Sequence, residues 1–146
     1  MLVRKMTIAD YDTVYALWLS CEGVGINTVD DSREGIGRFL RRNPETCFIA
    51  EQEGEAVGSI LAGNDGRRGY IYHLAVSPAH QRKGIGSALV QAATEALKAE
   101  GISKAALLVF ANNEKGNAFW EKQGFILRSD VHYRNIQLIE TTYLRK

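Results

Sequence analysis

A chain of 146 residues, 45% of them hydrophobic, is long enough for one domain that buries roughly 68–70% of its unfolded surface. Lys and Arg number 18 against 17 Asp and Glu, a formal net charge of +1, so there is no electrostatic case for nucleic acid or an acidic membrane as partner. Cys21 and Cys47 have no metal-like spacing and read as free thiols of a reducing compartment, with no metal expected. The N-terminal residues lack the apolar core of a signal peptide, and the longest apolar run, Ala105–Ala111, is too short to span a bilayer. A soluble cytoplasmic protein of a single domain, residues 1–146, is the expectation.

In chain order, Leu2–Met6 predicts a first strand. Thr7 caps a helix reaching about Ser20, with Tyr11, Val14, Tyr15, Leu17 and Trp18 on its apolar side. Glu22–Asp31 reads as a loop, Ser32 as the cap of a second helix, and Asn43-Pro44 as its stop. Phe48–Glu51 and Ala56–Leu61 form strands about a turn at Glu53-Gly54, and Asn64-Asp65-Gly66 turns the chain into a strand from Tyr70 to Val76. A long helix follows from about Gly84 to Glu100, with Ile85, Leu89, Ala92, Ala93, Ala96 and Leu97 on its buried stripe and Gly101 after its end. Lys104–Phe110 is continuously apolar after its first residue and predicts a strand buried on both faces. A helix over Glu114–Gln123 stops at Gly124, and two last strands span Phe125–Ser129 and Tyr133–Thr142. The strand–helix–strand unit from Tyr70 to Phe110 implies a parallel pair with a right-handed crossover, and the hairpins imply antiparallel neighbours. The sum is an α/β chain with a mixed sheet and helices on both faces.

The stretch Gln81-Arg82-Lys83-Gly84-Ile85-Gly86-Ser87 joins a strand to a helix N-terminus. That end carries unpaired N–H groups and the positive pole of the helix. Glycines let an anion approach the backbone, and Arg82 and Lys83 add positive charge, so the loop reads as a phosphate or pyrophosphate cradle. Its spacing is neither that of a P-loop nor that of a dinucleotide fingerprint.

The spacing resembles the acyl-CoA signature of the GNAT N-acetyltransferase superfamily, Arg/Gln-x-x-Gly-x-Gly/Ala, filled here by Gln81, Gly84 and Gly86. Leu74-Ala75-Val76-Ser77-Pro78 looks like the strand end preceding that loop. Asn113, with Phe119-Trp120-Glu121-Lys122-Gln123-Gly124-Phe125, is similar to the family's second CoA-contacting segment. The resemblance implies a mostly antiparallel central sheet with one splayed parallel strand pair, and acetyl-CoA as acyl donor. It implies that the backbone of Leu74, Ala75 and Val76 meets the pantetheine arm and that Arg82, Lys83, Gly84, Ile85, Gly86 and Ser87 hold the pyrophosphate. Asn113, Phe119 and Trp120 would then contact the arm and its thiol end.

The chain departs from the family at two places. Many members carry a Tyr acid four residues before the Gly-Phe, where this chain has Trp120 ahead of Gly124-Phe125, and one branch has a Glu base where this chain has Leu108. Candidate proton-handling residues therefore lie on the strand before the cradle. Side-chain alternation puts Tyr70, Tyr72, Leu74 and Val76 on one face and His73 on the other, unless a bulge turns it. Tyr72, Tyr70 and His73 are the catalytic candidates, and a positioned water is an alternative. The acceptor, a small-molecule or peptide amine, is expected against Trp18, Cys21, Glu22, Asn27, Asp30 and Asp31, whose carboxylates suit a cation. A CoA-binding regulator without catalysis is the competing function. The final strands offer an edge for a homodimer.

Overall fold

The computed structural model describes residues 1–145. The order is β1 Leu2–Lys5, α1 Tyr11–Ser20, β2 Ile26–Asn27, α2 Arg33–Arg42, β3 Phe48–Gln52, β4 Glu55–Asn64, β5 Gly69–Val76, α3 Ile85–Ala99, β6 Ala105–Leu107, α4 Glu114–Lys122 and β7 Tyr143–Arg145. A five-stranded sheet runs β1-β3-β4-β5-β6, antiparallel throughout except for the parallel β5–β6 pair. β2 and β7 form a separate two-stranded ribbon.

Local chemistry sets the boundaries. A single turn of 3-10 helix, Ile8–Asp10, precedes α1, and the Asp10 carboxylate accepts the Thr7 N–H at 2.9 Å. Ser32 Oγ accepts the Gly35 N–H at 3.0 Å and so starts α2. Glu53 and Gly54 both have positive φ, +52° and +77°, as a two-residue hairpin turn requires. β4 is the central strand and is buried from Val57 to Gly63, which explains its unbroken apolar run.

Two cores flank the sheet. Val14, Leu17, Trp18, Ile36 and Leu40 of α1 and α2 pack on one face with Cys47, Ile49, Leu61 and Ala75. Ile85, Leu89, Val90, Ala93 and Leu97 of α3 pack on the other with Val57, Ile60 and Ile71, joined by Phe119 and Trp120 of α4. Removing those side chains from water supplies the main driving force, ~1.5–3 kcal/mol for each fully buried Leu, Ile or Val.

The end of the chain differs from expectation. β6 has three residues rather than seven, and it is not buried on both faces: Leu108 is 61% exposed. The strands expected at Phe125–Ser129 and Tyr133–Thr142 do not form, and Ile126 and Leu138 are 84% and 87% exposed. Strand propensity is realised only against a partner, and no strand lies alongside this segment in either sheet. Its continuation, β7, instead pairs with β2, inside what reads as a loop. Arg145 ties this ribbon to the C-terminal end of α1, donating to the carbonyls of Trp18 at 2.6 Å, Val24 at 3.1 Å and Leu19 at 3.2 Å.

Candidate active site

The site is organised by an irregularity in β5. Leu61 pairs with Tyr72 and Ser59 with Ala75, so His73 and Leu74 together oppose Ile60. This is a β-bulge, and His73 takes a left-handed φ of +47°. Left-handed backbone costs a non-glycine residue roughly 1–2 kcal/mol. The bulge corrects the alternation expected from sequence. The His73 ring lies 4.8 Å from Trp18 of α1 and the Tyr72 ring 5.8 Å from Phe39 of α2, so both share the α1/α2 face. Leu74 and Val76 turn to the α3 side.

His73 meets Asp31 across 42 positions of sequence, Nε2 to Oδ1 at 2.5 Å. Asp31 is only 4% exposed. Its Oδ2 accepts the Asn27 N–H at 2.8 Å, and its backbone carbonyl accepts the Tyr11 hydroxyl at 2.6 Å. The turn before it is held by Asn27, whose Oδ1 accepts the N–H groups of Val29 at 3.0 Å and Asp30 at 2.7 Å. His73 Nδ1 has no protein partner among the described residues and is not sealed from solvent. A neutral imidazole donating from Nε2 to Asp31 therefore presents a lone pair at Nδ1.

The other candidates fall around this pair. Trp18 is fully buried, its Nε1 donating to Ser59 Oγ at 3.3 Å, and it backs His73 rather than facing a ligand. Tyr70 and Tyr72 stack at 6.1 Å and remain partly exposed. Burial, then the neighbouring Tyr70, Tyr133 and Asp30, push the Tyr72 phenol above its ordinary value. At neutral pH it is therefore a hydrogen-bonding hydroxyl and not a base. Asp30 and Glu22 are exposed, whereas Cys21 is buried with its thiol 3.3 Å from the Val76 carbonyl.

The donor side begins where the parallel pair ends. β5 and β6 pair only from Gly69↔Ala105 to Ile71↔Leu107, yet β5 continues to Val76. The Ser77 N–H donates to Val57 on the β4 side at 2.8 Å. By alternation Val76 and Leu74 direct their peptide groups to the opposite, unpaired edge, while those of Ala75 belong to the β4 ladder. The gap opens onto the N-terminus of α3. Gly84 there has φ +81°, and nothing lies within 4 Å of where its Cβ would be. Arg82 (φ +66°) and Lys83 are exposed. The N–H groups of Ile85, Gly86 and Ser87 are first-turn donors, although the Ile85 side chain is buried.

Four residues there have internal duties. A Cβ on Gly86 would meet the Phe119 ring at 3.3 Å, so this glycine serves the packing of α3 on α4 rather than an open approach to the backbone. Asn113 Oδ1 accepts the Gly116 N–H at 2.9 Å and caps α4. Ser87 Oγ accepts from Gln123 Nε2 at 2.8 Å. Gln81 turns back to donate to the Val76 carbonyl at 3.3 Å. Phe119 and Trp120 are half-buried, with rings 5.1 Å apart, and Trp120 packs on Phe125 at 5.1 Å.

Sequence reasoning named both His73 and Asp31 but did not pair them, and it missed Phe39 and Ser59. No local signal marks a contact made through a bulge. Among the described residues no group of three or more His, Cys, Asp or Glu is placed to hold a metal, and no helix is long and apolar enough to cross a membrane.

Residues 11–125 match the model of the acetyltransferase (GNAT) family. An acetyltransferase from Sodalis glossinidius is 33% identical over 140 residues, covering 96% of this chain and 97% of its own. The fold is that of Ard1 from Thermoplasma volcanium, with a TM-score of 0.77 at 22% identity over 88% of this chain and 84% of that one. It is also that of the PaiA N-acetyltransferase from Thermoplasma acidophilum in complex with coenzyme A, with a TM-score of 0.75 at 21% identity over 89% and 92%.

Proposed function

The chain belongs to the GNAT acetyltransferase family, and on that premise we propose that it transfers an acetyl group from acetyl-CoA to a primary amine of a small molecule or peptide, by direct attack in a ternary complex. The observation that carries this is the early end of β5–β6 pairing at Ile71↔Leu107, which leaves the Leu74 peptide group and the Val76 N–H without a strand partner beside the α3 N-terminus, the Val76 carbonyl being taken by Cys21 and Gln81. Those groups suit the amides of a pantetheine arm. The N–H groups from Ile85 to Ser87, with Arg82 and Lys83, suit a pyrophosphate. Asn113 Nδ2, which its cap bond leaves free, and the half-buried Phe119 and Trp120 would meet the arm and its thiol end. Bound acetyl-CoA supplies a thioester carbonyl that an amine can attack.

An ammonium has no lone pair, so the acceptor must lose a proton first. His73 Nδ1 takes it, directly or through one water, while Asp31 holds the ring and balances the imidazolium that forms. The Val76 N–H faces the gap and donates to the carbonyl oxygen as it gains charge. Tyr72 and Tyr70 orient the acceptor, and the exposed carboxylates of Asp30 and Glu22 attract it as a cation. The His73–Asp31 pair supports turnover rather than a CoA-binding regulator without catalysis. The enzyme is a single-domain cytoplasmic protein that works as a homodimer, a second subunit covering the exposed apolar residues between Ile126 and Ile139.

Calorimetric titration with acetyl-CoA, with CoA and ATP as controls, tests the cradle. A mass-spectrometric screen of amines tests transfer. Tight acetyl-CoA binding with ATP much weaker, and acetylation of at least one amine, is the expected result. Absence of acetyl-CoA binding would remove the proposal.

A further inference from the structure

A cleft of about 170 Å³ runs along the α1/α2 face, between the end of α2 and the β4–β5 hairpin. Phe39, Tyr70 and Tyr72 form its apolar wall. Arg42 and Arg68, at the end of α2 and at the hairpin, line it together with Asp65. Among the described residues neither guanidinium forms an ion pair. Arg68 donates only to the Arg67 carbonyl at 3.3 Å. Asp65 is already committed: its Oδ1 accepts the backbone N–H groups of Arg67 and Arg68, each at 2.8 Å. Two cations against one carboxylate leave that end positive. The end at the bulge has the opposite sign, with Asp30 exposed and Asp31 beside His73.

We infer that the acceptor is a zwitterion, with its amine at His73, a carboxylate at the far end of the cleft on Arg42 and Arg68, and an apolar middle lying on Phe39, Tyr70 and Tyr72. The inference rests on the acetyl-transfer reading for its amine end. A guanidinium fork matches a carboxylate in two parallel hydrogen bonds, and an unpaired one beside an aromatic wall loses little hydration when it does so. A short peptide with a free C-terminus has this form.

The test is calorimetry of CoA-saturated protein with alanyl-phenylalanyl-alanine and with its C-terminal amide. The free acid should bind ~10-fold or more tightly than the amide, the value of one charge-assisted hydrogen bond. Arg42→Gln and Arg68→Gln should each shrink that ratio toward one, with circular dichroism unchanged. Equal binding of acid and amide, or binding of neither, overturns the inference. This readout does not need turnover. Selective binding of the acid without acetylation would refute the transfer reading alone, whereas acetylation of other amines with no preference for the acid would refute only the inference.

Discussion

Replacing Asp31 by asparagine changes almost no atoms yet should disable His73. Asp31 Oδ2 accepts the Asn27 N–H at 2.8 Å, and Oδ1 meets His73 Nε2 at 2.5 Å. An asparagine has one acceptor oxygen and one donor NH2. The backbone N–H of Asn27 can only donate, so the amide oxygen must face it. The NH2 then faces His73 Nε2 and forces that nitrogen to accept. The imidazole proton moves to Nδ1, which can no longer take a proton from the acceptor. The loss should approach the worth of a general base, ~10²–10⁴-fold in kcat. Both hydrogen bonds survive without charge assistance, so the fold loses only about 1–2 kcal/mol, a fall in Tm of roughly 2–8 °C. The assay is steady-state acetylation of an accepted amine, with acetyl-CoA affinity measured by calorimetry and the imidazole tautomer by nitrogen NMR. A kcat within threefold of the parent (~0.7 kcal/mol), with the tautomer changed, would refute the role given to His73.

At Gly84, valine should introduce left-handed strain of roughly 1–2 kcal/mol and place bulk in the open cradle; calorimetry should show weakened acetyl-CoA binding, and unchanged affinity would remove the loop from the site. Tyr72→Phe should raise the KM for the amine while leaving kcat and its profile between pH 6 and 9 intact, since burial and the nearby Tyr70 hold the phenol protonated there. Cys47 is pushed up to about 12 by burial, so the folded protein should resist alkylation at that thiol at pH 8.5, read by peptide mass spectrometry. The Arg4 hydrogen bond is the main cause holding Asp10 below its ordinary carboxylate value. A depressed folded pKa gives stability that is present above the unfolded value near ~3.9 and lost as pH falls through the folded one. Arg4→Met should therefore flatten the loss of stability as pH falls below about 4 in denaturant titrations, and an unchanged slope would show that the pair contributes nothing.

The family, the mixed sheet and the glycine loop before α3 were legible because their signals are local. A strand end, Gly84 and the first turn of α3 lie within a dozen residues, and each answers to backbone sterics that a sequence displays. The cap at Ser32 and the turn at Glu53-Gly54 are visible for the same reason. The active-site pairing was not visible. Strict alternation along β5 separates His73 from Tyr72, and only the bulge opposite Ile60, formed against β4, brings them to one face. Asp31 reaches His73 because α1, α2 and the Asn27 turn pack on that face as a unit. Gly86 reads as a cradle glycine until α4 folds back and sets Phe119 against it. The apolar alternation after Phe125 reads as strand, but pairing needs a neighbour, and β6 ends at Leu107. Sequence determined what each segment prefers by itself; tertiary structure decided which side chains meet, because register, bulges and partners depend on residues tens of positions away.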